Sequence, residues 1–215
     1  MRASGLVVGD GEDVDLHPYY RHFLIFPYWS ADPDGWVFNP DIGGAWLQTA
    51  SLETVRFRST DPDDTPKMMS LTSDGPTNPS VPYLEGGVGV AGRYQWPLFV
   101  VEGELDALSI VDCGWPAVAT NSASTWRPEW CEEWVDYRIP QIVVVAEGDA
   151  AGRRFPSRVA KVARDVCGPE WTEGHFSKVV CEDGQDVNDL HMAGELRDKL
   201  DGVVEQLLER GDLNR

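Results

Sequence analysis

The chain has 215 residues, 42% hydrophobic and 25% charged, a composition typical of a globular protein with a sizeable core. Its 36 acidic and 18 basic residues give a formal charge of −18, which opposes non-specific attraction to nucleic acid. No apolar run approaches the roughly 18 residues that span a bilayer, and the N-terminus lacks a signal-peptide pattern, so we expect a cytoplasmic protein without a membrane segment.

The cysteines and histidines do not form a zinc-binding pattern. The four cysteines are scattered without a C-x-x-C pair, and the four histidines show no ligand spacing. We therefore expect reduced thiols and no zinc site.

The first 95 residues are predicted to be rich in β-structure. Two apolar runs within 22–38 flank the turn signal Ala31-Asp-Pro-Asp-Gly35, which predicts a hairpin. Residues 54–60 alternate polar and apolar side chains, which predicts another strand. Residues 73–95 are rich in Gly, Pro, Ser and Asn, which predicts a connecting loop.

From residue 97 onward, strand and helix patterns alternate, which predicts a parallel sheet flanked by helices. The predicted strands cover 98–101, 117–120, 141–146 and 176–181. The predicted helices cover 104–113, 128–136, about 150–167 with a possible kink at Pro156, and 195–210.

Two acidic clusters follow two of these predicted strands. The first is Glu102-Gly-Glu-Leu-Asp106, and the second is Glu147-Gly-Asp149. Open α/β sheets place their sites at the carboxyl ends of parallel strands. Carboxylates that meet there suit a hard divalent cation such as Mg²⁺, often shared with phosphate.

The acidic clusters resemble two motifs of the Toprim family. Glu102-Gly-Glu-Leu-Asp106 resembles the first motif. Glu147-Gly-Asp149-Ala-Ala-Gly152-Arg153 is similar to the second, usually D-x-D-x-A-G, with Glu147 where Asp is usual.

Two further segments favour the primase branch of that family. Gly184-Gln-Asp186-Val-Asn188-Asp189-Leu190 resembles the Lys-Asp-x-Asn-Asp segment of phage and plasmid primases. The strand that carries Arg56 and Arg58, followed by Pro66-Lys67, resembles the subdomain that precedes Toprim in primases.

The resemblance implies an α/β Toprim fold, a Rossmann-like parallel sheet flanked by helices, preceded by a smaller β-rich α+β subdomain of the primase type. We expect the N-terminal subdomain at 1–95, the Toprim domain at 96–192, and a C-terminal amphipathic helix at 193–215. It also implies a phage- or mobile-element-type DNA primase core, a Mg²⁺-dependent (or Mn²⁺-dependent) nucleotidyltransferase. Its expected partners are a single-stranded DNA template and NTPs, with a separate zinc-ribbon or helicase protein in trans.

The resemblance assigns the site residues as follows. Glu102 and Asp149 are catalytic. The metal ligands are Glu102, Glu147, Asp149 and Asp186. Nucleotide or template phosphates are bound by Arg56, Arg58, Lys67, Arg153 and Arg154. Additional candidates are Asp106, Asn188 and Asp189.

Other interpretations remain open from the sequence. A Toprim phosphodiesterase or nuclease would use the same metal cluster. A catalytically inactive acidic Toprim protein would instead bind a replication or host partner. Asp106 and Asn188 also suit structural roles at helix starts, because Asp and Asn favour those positions. Arg56, Arg58 and Lys67 also suit the solvent face of an edge strand, where charge discourages aggregation.

Overall fold

The computed structural model describes residues 7–8, 15–16, 23–39, 45–61, 63, 68–70, 79–121, 126–150 and 152–213. Side chains are described for 23–30, 52–61, 63, 79–121, 126–150 and 152–213. The chain divides into two compact units, formed by the described parts of 1–28 with 52–79 and of 29–51 with 80–215.

The N-terminal part is made of antiparallel strands. β1 (Val7–Val8) pairs with β2 (Asp15–Leu16). A second sheet contains β3 (Phe23–Asn39), β4 (Ala45–Ser59) and β5 (Met68–Ser70) in the order β3-β4-β5.

The hairpin predicted within 22–38 is wrong, because β3 runs without interruption through the turn signal at 31–35. β3 lies at the edge of its sheet. An edge strand tolerates proline, since a missing N–H on its outer side costs no ladder hydrogen bond. Pairing with the long β4 therefore overrides the local turn preference.

The strand predicted over 54–60 is confirmed as the end of β4. Val55 and Phe57 are buried, whereas Arg58 is exposed and Arg56 half-buried, as the two-residue period of a strand requires. Phe23 packs edge-on against Phe57 with ring centroids 6.4 Å apart.

The larger unit contains a four-stranded parallel sheet, as the alternating pattern predicted. Its strands are β6 (Leu98–Val101), β7 (Ala117–Ala119), β8 (Ile142–Ala146) and β9 (Phe176–Val180), in the order β7-β6-β8-β9. Every residue of β6, β7 and β8 is buried, because helices cover both faces of such a sheet.

Seven helices surround this sheet in the described residues: α1 (Gly86–Tyr94), α2 (Glu104–Asp112), α3 (Pro128–Asp136), α4 (Phe155–Cys167), α5 (Pro169–His175), α6 (Val187–Met192) and α7 (Leu196–Arg210). Helices α1, α3 and α4 share one apolar core with alternate residues of the strands. Helix α2 packs on β6 and β7 and contacts α6, which contacts α7. None of the described helices is long and apolar enough to cross a bilayer.

The tryptophans around α3 are part of this core. Trp126, Trp130 and Trp134 are at most 8% exposed, and the rings of Trp126 and Trp134 meet edge-on with centroids 4.9 Å apart. Their helical spacing therefore serves packing.

The loop predicted over 73–95 is wrong in its second half, where α1 forms. The glycines that suggest a loop allow close packing instead. A Cβ at Gly87 would lie 2.7 Å from the carbonyl oxygen of Ala117, and one at Gly92 would collide with the carbonyl oxygen of Tyr137. Glycine thus brings this helix close to neighbouring backbone.

The region predicted as a single helix over about 150–167 begins with a 3₁₀ turn at Gly152–Arg154, and α4 follows. Pro156 does not kink this helix, because it lies in the first turn, where no N–H is needed. The short α5 was not predicted.

Candidate active site

The acidic segments lie at one end of the parallel sheet. Glu102 follows β6, and Glu147 follows β8, the hydrogen-bonded neighbour of β6 in the register Val100↔Val144. Cys181 follows β9, and its N–H donates to the carbonyl of Ala146 at 2.9 Å. Three adjacent strands therefore end at this edge, in agreement with the prediction for the two glutamates.

Helix α2 begins directly after the first acidic residue. Gly103 forms its N-cap, and a Cβ there would lie 2.6 Å from Oδ2 of Asp106, so a larger residue would displace that carboxylate. Glu104 and Asp106 lie in the first helical turn, where negative charge is favoured, and they are only 6% and 7% exposed.

Asp106 joins the first acidic element to the third. Its Oδ1 accepts a hydrogen bond from the backbone N–H of Asn188 at 3.2 Å. The side-chain oxygen of Asn188 lies 3.3 Å from the Ser109 hydroxyl, one turn further along α2. Asp106 and Asn188 thus hold α2 and α6 together. Asp106 lies in the first turn of α2 as expected, whereas the cap of α6 is Asp186 and not Asn188.

The second acidic element is built on two closely packed glycines. The N–H of Gly148 donates to the carbonyl of Gln185 at 2.8 Å, and a Cβ on Gly148 would collide with the carbonyl of Glu182. A Cβ on Gly152 would lie 2.7 Å from the Cβ of Glu147. These approaches fix the second element against the segment that leads into the third.

Asp149 is exposed and closes the 3₁₀ turn that follows it. Its Oδ1 accepts from the N–H of Gly152 at 2.6 Å, and its carbonyl accepts from the N–H of Arg153 at 3.1 Å. This aspartate therefore fixes the turn and also presents a carboxylate at the sheet end.

The third element is a capping box at the start of α6. Asp186 is the N-cap, and its Oδ1 accepts from the N–H of Asp189 at 2.6 Å. Oδ2 of Asp189 accepts from the N–H of Asp186 at 3.2 Å. Both carboxylates thus have a structural function here.

Carboxylates from all three acidic elements affect the pKa of one thiol, that of Cys181. Burial raises the pKa of Cys181 above its ordinary value, and the Lys199 ammonium lowers it. The negative charges of Asp106, Asp186 and Glu147 raise that pKa further. One acidic residue from each element therefore lies within electrostatic range of Cys181.

The carboxylates nevertheless do not stand together as a preformed metal cage. Among the described residues, no three His, Cys, Asp or Glu side chains are placed to hold an ion jointly. The candidate ligands Glu102, Glu147, Asp149 and Asp186 are all oxygen donors, and Asp149 is exposed. This donor set suits a hard cation, and binding one would require its side chains to move closer.

The predicted phosphate-binding cations have different surroundings. Arg153 donates to the carbonyl of Gly148 at 3.0 Å and forms an ion pair with the exposed Asp183. Arg154 is exposed immediately before α4. Arg56 and Arg58 lie on β4 opposite Ser70 and Met68 in the other compact unit, and Lys67 lies outside the described residues.

Sequence reasoning missed several residues of this region. Cys181 ends a strand as the two glutamates do, so the strand-end argument applies equally to it. Asp183, the ion-pair partner of Arg153, and the carbonyl of Gln185 gave no sequence signal, because both act through the folded turn between β9 and α6.

Comparison with known proteins follows this architecture. The Toprim-like family model matches residues 99–191, which contain all three acidic elements. The Gene 57 protein of Mycobacterium phage D29 is 30% identical over 174 residues, covering 80% of this chain and 91% of the phage protein.

Solved structures show the same fold. The RNA polymerase domain of Mycobacterium tuberculosis primase DnaG matches with a TM-score of 0.60 and 19% identity, over 95% of this chain and 60% of that one. The Aquifex aeolicus primase, with zinc-binding and RNA polymerase domains, matches with a TM-score of 0.64 and 13% identity, over 94% of this chain and 44% of that one. The chain thus spans about half the length of the solved primase chains. It belongs to the family of the phage D29 Gene 57 protein, carries a segment that matches the Toprim-like family model, and has the fold of the solved primase domains.

Proposed function

We propose that this protein is the catalytic core of a phage- or mobile-element-type primase, which joins NTPs into a primer on a single-stranded DNA template. The observation that carries the proposal is the position of the three acidic elements at the carboxyl end of one parallel sheet, where hydrogen bonds join Asp106 to Asn188 and Gly148 to Gln185. A related fold supports the template assignment, since a DnaG primase catalytic domain bound to single-stranded DNA matches with a TM-score of 0.56.

The proposed metal ligands are Glu102, Glu147, Asp149 and Asp186, with Glu102 and Asp149 as the catalytic pair. A bound Mg²⁺ or Mn²⁺ would neutralise triphosphate charge and lower the pKa of the attacking 3′-hydroxyl. The side chain of Glu147 is one methylene longer than that of the usual aspartate. A Cβ on Gly152 would lie 2.7 Å from the Cβ of Glu147, so glycine at position 152 leaves room for this side chain.

The chain's own cations are proposed to bind phosphate. The N–H of Arg153 donates to the carbonyl of Asp149, and Arg154 follows it in the same 3₁₀ turn. A guanidinium suits bidentate phosphate contact. Arg153 would exchange its exposed partner Asp183 for a phosphate. Arg56, Arg58 and Lys67, from the N-terminal part of the chain, are also proposed to bind nucleotide or template phosphates.

The charge of −18 implies help from a partner. The chain has 18 basic and 36 acidic residues, so binding of a DNA template would need metal ions or a positively charged protein. A separate zinc-ribbon or helicase protein acting in trans, in the host cytoplasm, would meet this need.

A primer-synthesis assay with a single-stranded template, labelled NTPs and Mn²⁺ tests the proposal. We expect Glu102→Gln and Asp149→Asn to lower synthesis by about a hundredfold or more, the usual effect of removing a group that stabilises transition-state charge. Glu170→Gln is the matched control, because this exposed glutamate lies on α5. Full activity in either site variant would overturn the assignment.

A second candidate is a binding protein without catalysis, favoured by the lack of three ready-placed ligands among the described residues. Calorimetry with Mn²⁺ separates the candidates, because both a primase and a Toprim phosphodiesterase require metal binding in the millimolar range or better. A labelled strand that shortens, with no NTP incorporation, would instead identify the phosphodiesterase.

A further inference from the structure

An apolar groove runs between α2 and α6, next to the third acidic element. It has a volume of about 560 Å³. Its apolar side is formed by Leu105, Leu108 and Val111, which follow one another at three-residue spacing along α2. Leu108 and Val111 are 38% and 44% exposed, which is high for aliphatic side chains on one helix face.

Polar contacts close the floor of this groove. Ser109 meets Asn188 at 3.3 Å, and His191 lies 3.4 Å from the Asp112 carboxylate and 3.8 Å from the sulfur of Cys113. These contacts hold the two helices at a fixed separation. The groove is therefore bounded by contacts within the fold.

Apart from His191, the charged side chains of the two helices are all carboxylates. Helix α2 and helix α6 with its N-cap contain no Lys or Arg. Asp112 and Asp189 are exposed and Asp186 is half-buried, whereas Glu104 and Asp106 are buried; Arg197 on α7 is the cation that lies within electrostatic range of Cys113. Asp112 lies on the groove itself, with its side chain 75% exposed. An apolar strip beside acidic groups is complementary to a helix with leucine-like side chains on one face and basic side chains around it.

We propose that the α2–α6 groove binds a short, basic, amphipathic helix of a partner protein. A second copy of this chain does not fit, because a charge of −18 on each copy opposes self-association through acidic helices. The groove spans about two turns of α2, so a partner segment of two to four turns would cover it. This inference is independent of whether the acidic site is catalytic.

The probe is a fluorescein-labelled peptide of about 14 residues with leucines on one helical face and lysines elsewhere. Binding to the full chain is measured by fluorescence anisotropy at about 0.15 M salt, where exposed charges are partly screened. One control peptide has the same composition in scrambled order, and the other has glutamate in place of lysine. We expect the patterned peptide to bind at least about tenfold more tightly than either control.

Val111→Asp and Val90→Asp are the matched protein variants. Both valines are similarly exposed, at 44% and 41%, and Val90 lies on α1, away from the groove. Val111→Asp should weaken the patterned peptide by about tenfold, although it adds attraction for lysine in general. Val90→Asp should leave the affinity unchanged.

Several results would overturn the proposal. They are absence of binding, equal binding of the scrambled peptide, and equal effects of the two variants. Sedimentation of the wild-type chain supplies one more: a dimer that Val111→Asp dissociates would show that a second copy fills the groove. Leu108→Asp repeats the test at a second position and guards against a local folding defect at Val111.

Discussion

Replacing Glu133 with glutamine should stabilise the protein in alkaline but not in acidic solution. Glu133 lies on α3, and its partial burial raises the pKa of its carboxyl from 4.5 to about 7, with further contributions from the charges of Glu85 and Asp136. A raised pKa means that the folded state prefers the protonated form. This contribution to stability is complete below pH 4.5 and is lost as the pH rises through 7.

The size of the effect follows from the same values. A rise from 4.5 to about 7 corresponds to roughly 3.5 kcal/mol at about 1.4 kcal/mol per pH unit. Because Glu133 is only partly buried, solvent screens its neighbours, and we expect about 1 to 2 kcal/mol. Glutamine has the shape of the protonated acid, so it should recover this amount at pH 8.5 and little of it at pH 5.

Urea unfolding of wild type and Glu133→Gln, followed by tryptophan fluorescence at pH 5, 7 and 8.5, measures this difference. The acidic limit stays above the isoelectric point of about 4.4, where precipitation is expected. Glu132→Gln is the control, because it removes the same charge from an exposed neighbour. A stability difference for Glu133→Gln that does not change with pH, or that Glu132→Gln reproduces, would refute the reasoning.

Two glycine pairs give further predictions. Gly87→Ala should destabilise the protein by about 1 to 3 kcal/mol, because its Cβ would lie 2.7 Å from backbone. Gly86→Ala is the control and should be neutral or slightly stabilising, because the space around Gly86 is open. Thermal unfolding measures both variants, and equal melting temperatures would contradict the close packing of α1. Gly152→Ala should displace Glu147, and the free energy it costs in Mn²⁺ binding, measured by calorimetry, should exceed the free energy it costs in unfolding. Gly174→Ala is the control, because the space around that glycine is open. Unchanged Mn²⁺ affinity in Gly152→Ala would argue against Glu147 as a ligand.

The sequence predicted the parallel sheet and its acidic edge because both depend on local signals. Apolar runs of four or five residues followed by a glycine turn specify a buried strand and a helix start, and 142–146 and 98–101 are such runs. Strands of this kind end at one edge in any parallel sheet. The positions of Glu102 and Glu147 were therefore predictable without knowledge of the tertiary structure.

The errors arose where tertiary contacts override local preference. The glycines of α1 resemble a loop in sequence, and only the nearby backbone of Ala117 and Tyr137 explains them as helix-packing residues. Residues 31–35, which carry the turn signal, belong to β3, because pairing with the long strand β4 outweighs their local turn preference. The ion pair between Arg153 and Asp183 joins segments 30 residues apart, which no spacing rule indicates.

The acidic character of this protein links its two proposed sites. At the proposed active site, carboxylates at the sheet end would repel phosphate, so the proposed cation would have to bind before a nucleotide or template. The same excess of negative charge, extended along α2 and α6, attracts a basic partner helix and would bring positive charge close to the third acidic element, since Asn188 belongs to both regions. A peptide bound in the α2–α6 groove should therefore increase the affinity of the full chain for single-stranded DNA, whereas the glutamate-containing control peptide should not. If the patterned peptide binds in the groove and DNA affinity stays unchanged, the two sites act independently.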